Sequence, residues 1–284
     1  MGKSLPIIIL ILTIGAPPKS EAALGFREVG AEAASLGGCG VGWMHGAEGL
    51  WWNPAHVGWA SQAAFSLSCA RPFSMAALST ETLSFILPTP RIGWGLGIQS
   101  YGFSLYRETT ATLAGGRKIL PRLVAGLSVR GTHLSIQNFG TDQAFCVDAG
   151  LLAHIGKALH WGISLRNLNG AKIRRDPCSQ SLSTGIFYRP TAHLAFCADA
   201  RKTLRFPLQI GAGAQIRLLP CFVLRTGIGS APTRFSIGAG FHLGAADISY
   251  SAGNHVILGF SHQASIHWKI TERQNTEYRS QESE

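Results

Sequence analysis

Six side chains hold most of the chemistry that this sequence could perform: Arg130, Asp148, His160, Arg166, Asp199 and Arg225. Guanidinium groups bind carboxylates through charge-assisted hydrogen bonds. Arg130, Arg166 or Arg225 could therefore meet the carboxylate of a fatty acid or the acidic surface of a partner protein. The same arginines beside Asp148 and Asp199 could instead form a compensated network holding the interior together, because buried charges must be paired. This structural use is the stronger expectation. His160, His193, His242 and His267 share a strand face with serines, which is the raw material of a hydrolytic triad oriented by Asp148 or Asp199. No G-x-S-x-G nucleophile motif occurs. The expectation is therefore no catalytic residues, no cofactor and no metal, with the barrel lipid hydrolase as a remote alternative.

The elements that must position these groups show a two-residue period. Leu159, Trp161, Ile163 and Leu165 point one way while His160, Gly162, Ser164 and Arg166 point the other. Leu194, Phe196 and Ala198 alternate with His193, Cys197 and Asp199, and Phe235, Ile237, Ala239 and Phe241 with Arg234, Ser236, Gly238, Gly240 and His242. A strand places successive side chains on opposite faces. Each segment therefore needs one apolar and one polar environment. Turn signals divide residues 62–268 into fourteen segments, at 62–72, 79–89, 91–102, 104–116, 121–135, 143–154, 158–168, 179–189, 192–202, 206–217, 220–229, 233–244, 246–252 and 255–268, with twelve as the competing count.

Composition says which solvent wets the apolar face. Hydrophobic residues make up 46% of the 284 and charged residues only 14%, and there are 34 glycines. Soluble domains carry about 25% charge. A transmembrane barrel needs little, since its outside faces lipid and only its inside is polar. The fold class expected is all-β, an antiparallel transmembrane β-barrel. Trp94, Trp161, Tyr188, Tyr250 and Trp268 fall on the lipid-facing parity, where interfacial aromatic girdles belong. Arg130, Arg166, Arg201, Arg217, Arg225 and Arg234 fall on the other, predicting a basic lumen. The net charge of +10 is scattered rather than gathered in a stripe, which excludes a nucleic-acid partner.

Residues 1–22 read as a signal peptide: Lys3, an apolar run from Leu5 to Ala16, and Ser20-Glu21-Ala22 before the cut. That run falls short of the roughly 20 residues a spanning helix needs. Tight links such as Pro88-Thr89-Pro90, Ile155-Gly156-Lys157 and Pro190-Thr191 alternate with longer ones at 73–79, 138–143 and 167–180, which puts both termini in the periplasm of a Gram-negative cell. It also puts Lys172, Arg174 and Arg175 on an external loop. Residues 23–61 do not alternate and are glycine-rich, and they are expected to thread the lumen as a plug, with a flexible periplasmic leader as the alternative. A polar periplasmic tail is expected over 269–284. The six cysteines show neither a CxxC pair nor metal-ligand spacing, and their disulfide pairing stays open.

The segment Gly30-Ala31-Glu32-Ala33-Ala34-Ser35-Leu36-Gly37-Gly38, followed by Trp51-Trp52-Asn53-Pro54-Ala55, resembles the N-terminal pattern of the FadL-like outer-membrane proteins, especially the PorV/PorQ branch. Cys146-Val147-Asp148-Ala149-Gly150, Leu165-Arg166-Asn167-Leu168-Asn169-Gly170 and Leu258-Gly259-Phe260-Ser261-His262 follow in the order of that branch. The resemblance covers nearly all of the mature chain. An acidic pair common before the Asn-Pro-Ala is replaced here by His45-Gly46, so no role for those carboxylates carries over. The resemblance implies fourteen strands around an N-terminal plug, with Gly37, Gly38, Trp52, Asn53, Pro54 and Ala55 as the plug motif. It implies two roles: a secretion accessory engaging secreted proteins or secretion machinery, or an uptake channel for long-chain fatty acids or other hydrophobic small molecules. The short chain favours the first.

Overall fold

A computed structural model describes residues 25–270 apart from 45, 174, 175 and 205, so the expected signal peptide and most of the expected tail lie outside the described residues. Seven strands come first: β1 (Ala63–Arg71), β2 (Thr80–Leu87), β3 (Gly93–Phe103), β4 (Tyr106–Leu120), β5 (Leu123–Ile136), β6 (Gly140–Ile155) and β7 (Leu159–Arg166). A small hairpin of β8 (Lys172–Ile173) and β9 (Asp176–Pro177) follows. Then come β10 (Ser181–Tyr188), β11 (Leu194–Thr203), β12 (Leu208–Leu219), β13 (Phe222–Gly229), β14 (Arg234–Leu243), β15 (Ala246–His255) and β16 (Gly259–Ile270). Leaving out the β8–β9 hairpin, fourteen antiparallel strands pair neighbour to neighbour and close into a barrel where β1 meets β16. Closure removes the free edges that an open sheet would leave unpaired in hydrocarbon.

All fourteen predicted strands are present, with ends shifted by a few residues. The last strand runs through Ile270, so Lys269 and Ile270 belong to the barrel wall and not to the tail. The link expected at 138–143 is a tight turn, because β6 starts at Gly140 and Asn138 and Gly140 take positive φ values of 64° and 84°. The long links at 72–79 and 167–180 remain. Two ends of the barrel can thus be told apart. The short-turn end carries the turns after β2, β4, β6, β10, β12 and β14 together with the register pair Ala63 and Ile270. The long-link end carries the rest.

The alternation is inside-out relative to a soluble protein. Leu127, Phe145, Phe235 and Ile237 are each more than 60% exposed, while the neighbours Ser128, Cys146 and Ser236 are buried. No helix among the described residues is long and apolar enough to cross a membrane, and the outward apolar surface lies on the strands. Trp94, Tyr188 and Trp268 face outward near the short-turn end, as an interfacial girdle requires. Trp161 lies at the same level, half-buried, its indole donating to the Thr184 hydroxyl at 3.0 Å. His262, an odd residue on the apolar parity, hydrogen-bonds the outward Tyr250 hydroxyl at 2.7 Å, which explains its place there.

If the outward face is wetted by lipid, Leu127→Arg should lower stability in a phospholipid bilayer by about 2–4 kcal/mol, the range for a cation near the midplane. Urea titration of the folded, fast-migrating gel band measures this, and an unchanged midpoint would refute the lipid assignment.

Candidate functional site

Residues 25–60 pack inside the strands, and the local sequence shows how. A short helix, α1 (Ala31–Ser35), begins after Gly30 and is closed by Gly37 and Gly38, whose φ values of 74° and 85° turn the chain back so that the Gly38 amide reaches the Ala33 carbonyl at 2.9 Å. A second turn, α2 (Gly49–Trp52), leads to Asn53. The Asn53 side chain accepts the Ala55 amide at 3.0 Å and so caps a 3-10 helix over Pro54–Trp59, whose first residue, Pro54, needs no donor.

An irregular backbone away from water must find partners, and the wall supplies them. Asp199 on β11 accepts the amides of Gly40 and Val41 at 2.7 and 2.9 Å. Asn53 donates to the carbonyls of Val41 and, on β6, Leu151. The Ser265 hydroxyl accepts the Ala31 amide, the Ser236 hydroxyl accepts the Gly37 amide and donates to the Ser35 carbonyl, and the Trp51 indole donates to the Ser84 hydroxyl. Two ion pairs buried to within 4% join segment and wall: Glu32 with Arg225 at 3.6 Å and Glu48 with His267 at 3.3 Å. Glycines on the inner wall let the backbone come close. A Cβ on Gly162 would sit 2.2 Å from the Val41 carbonyl oxygen, and one on Gly227 only 2.1 Å from the Gly37 nitrogen.

Toward the long-link end, guanidinium and aromatic groups form a layer. The Phe26 ring lies between Arg166 and Arg201, with guanidinium carbons 4.2 and 3.8 Å from its centroid. Arg166 also donates to the Trp51 carbonyl, and Arg201 to the Ser183 hydroxyl at 3.3 Å. Arg27 stacks on Tyr101 and pairs with Glu108 at 2.7 Å, while Glu28 pairs with Arg234. At the opposite end His160 meets Trp43 and His154, ring centroids 4.7 and 3.9 Å away, and Trp59 covers His154.

The candidate residues are thus all on the inner face, though not all in the expected partnership. Arg130 and Asp148 form a two-bond ion pair at 3.1 Å within the wall. Asp199, expected to pair with an arginine, instead holds the backbone of the inner segment, because its oxygen sits where two successive amides converge. Arg225 is occupied by Glu32, Gln215 and Ser249. His242 is bonded to Asp247 at 2.6 Å, but the third member of that group is Lys269 rather than a serine. Of the motif, Gly37 and Gly38 make the turn, Trp52 donates to the Val29 carbonyl at 2.8 Å, Asn53 and Pro54 start the 3-10 helix, and Ala55 is fully buried. Sequence reading missed Arg27, Glu28, Glu48 and Glu108. The first three lie where no periodicity assigns a face, and their crowding beside the motif was the available signal.

Above the guanidinium layer a cavity of about 410 Å³ opens at the long-link end, lined by Phe26, Ala34, Phe73, Tyr101 and Arg201 among others. The 72–79 link bends over it: the Phe73 amide donates to the Ser261 hydroxyl at 2.9 Å and its ring packs edge-on against His255. The hairpin between β7 and β10, unforeseen in the sequence, buries Ile173 and Cys178 against the wall.

The chain is a closed fourteen-stranded antiparallel barrel with an N-terminal segment packed inside it and a cavity at its long-link end, and this fold is shared with solved barrels that include a FadL homologue. Solved structures with this fold include the toluene transporter TbuX of Ralstonia pickettii, at 14% identity over 86% of this chain and 98% of that one, TM-score 0.65. The toluene transporter TodX of Pseudomonas putida matches at 10% identity over 86% and 98%, TM-score 0.66. A FadL homologue of Pseudomonas aeruginosa matches at 11% over 84% and 98%, TM-score 0.59. No protein-family model and no curated protein sequence matches the chain.

Two substitutions probe the seating of the inner segment. Asp199→Ala removes both amide contacts and should cost about 2–4 kcal/mol, since each is a hydrogen bond to a charged acceptor, with a higher conductance in a planar bilayer. Gly162→Val should destabilise by about 1–3 kcal/mol through overpacking, read by the urea midpoint. Wild-type conductance and stability in both variants would mean that the segment does not sit against these residues.

Proposed function

We propose that this protein is a non-catalytic outer-membrane channel for the uptake of hydrophobic small molecules, with residues 23–61 as its plug, the long-link end outside the cell and both termini in the periplasm. The observation that carries the reading is the cavity at the long-link end. Its volume of about 410 Å³ lies in the range of small-molecule sites, and the rings of Phe26, Phe73 and Tyr101 line it. Arg201, whose hydrogen bond goes to a neutral hydroxyl, supplies a cation for a ligand that carries a carboxylate. TbuX and TodX, which share this fold, are toluene transporters, and that supports the same class of cargo. Beyond the outer-membrane lipid, such a channel needs no cofactor, metal or nucleic acid.

The PorV/PorQ-like motifs support a second role, engagement of secreted proteins or secretion machinery. Uptake separates the two. Cells lacking other hydrophobic channels and expressing this chain should accumulate labelled toluene or oleate severalfold faster than control cells. Arg201→Ala should slow oleate much more than toluene. Uptake equal to the control, with a secreted protein co-purifying in stoichiometric amount, would overturn the channel reading in favour of the accessory role.

A further inference from the structure

The six cysteines divide by burial. Cys39, Cys146, Cys178 and Cys197 are buried, and Cys69 and Cys221 are exposed. The four buried ones fall into two clusters of two, Cys39 with Cys197 and Cys146 with Cys178. Both clusters are built in the same way. On β11 the chain reads Cys197-Ala198-Asp199, and on β6 Cys146-Val147-Asp148, so in each strand the cysteine and the aspartate share the inner face two residues apart.

In each strand the aspartate fixes the incoming segment and the cysteine faces a second cysteine within it. Asp199 holds the amides of Gly40 and Val41, which directly follow Cys39. The Cys39 sulfur lies 3.4 Å from the position of a Cβ on Gly211, the register partner of Asp199. The Cys197 sulfur lies 3.6 Å from the carbonyl of Gly213, its own register partner, and 4.0 Å from that of Leu36 in the segment. Asp148 in turn accepts the Asn167 amide at 2.8 Å, and the Asn167 side chain donates to the Cys178 carbonyl at 2.9 Å, which seats Cys178 over Cys146. The neighbouring Cys197 thiol and burial push the Cys39 thiol up, and the contact with Cys146 and burial push up Cys178. Such thiols are inert once seated.

We propose that the four buried cysteines form two disulfides, Cys39–Cys197 and Cys146–Cys178, the first fastening the inner segment to β11 and the second fastening the 167–180 link to β6. This rests on the outer-membrane reading, because it needs passage through an oxidising compartment. For each bond, one cysteine thiolate attacks the disulfide of a dithiol oxidase, giving a mixed disulfide and a free oxidase thiolate. The second cysteine then attacks the first cysteine's sulfur, the protein S–S bond forms and the second oxidase thiolate leaves. Two electrons and two protons per bond pass to the oxidase. Burial of the seated thiols puts these steps before the barrel closes. A cross-linked segment cannot leave the lumen as a unit, so a molecule that passes must go around it or through a local rearrangement.

The test is peptide mapping by mass spectrometry of the full chain, purified from the outer-membrane fraction as a heat-modifiable band and then denatured and alkylated without reductant. The expected result is alkylation at Cys69 and Cys221 only, with cross-linked peptides joining 39 to 197 and 146 to 178. Cys39→Ser should expose Cys197 to alkylation while leaving the second link intact, and reduction of the wild type should speed tryptic cleavage after Arg27 severalfold. Folded, outer-membrane protein alkylated at all six cysteines, or cross-linked in another pairing, overturns the proposal. Failure of toluene or oleate uptake with both links present would count against the channel and not against the disulfides.

Discussion

An irregular backbone held away from water has to find a partner for every amide and carbonyl, and that requirement governs the interior of this barrel. Regular strands meet it among themselves, fourteen in a closed ring. The inner segment cannot. Its amides at Ala31, Gly37, Gly40 and Val41 are met by Ser265, Ser236 and Asp199, side chains drawn from β16, β14 and β11. The serines that make the inner face polar therefore act as a complementary template for one particular chain path.

Glycine on the wall is the steric half of the same arrangement. Where the segment's backbone runs along the strands, Gly162, Gly185, Gly213 and Gly227 face it, and a Cβ at any of them would come within 3.1 Å of a segment backbone atom. Close approach brings the segment's amides within hydrogen-bond reach of the wall side chains. The charged pairs answer to the same burial: Glu32 and Glu48 are met by Arg225 and His267. Farther out, Phe26 is held between two guanidinium groups and borders the cavity.

Much of this was legible beforehand. Strands with one face in lipid and one in a polar interior alternate over eight residues or more, so Leu159 to Arg166 could be read as a strand and His160 and Arg166 as inward-facing. Strand ends were less legible, because Asn138 and Gly140 form a turn of positive φ that looks like a loop in the sequence. The hairpin at 172–177 escaped notice since two-residue strands leave no period to read.

The sequence by itself determined which side chains of the strands face inward, narrowed the strand count to fourteen or twelve, and set residues 23–61 apart from the alternating pattern. It could do so because face is a local property, set by the two-residue repeat of the extended backbone. Which inward groups meet was decided only by the tertiary structure. Asp148 met an arginine and Asp199 met two amides, although both stand at equivalent places in a Cys-x-Asp stretch. The difference comes from barrel closure, which fixes the depth and angular position of each strand, and from the path of a segment more than a hundred residues away in sequence.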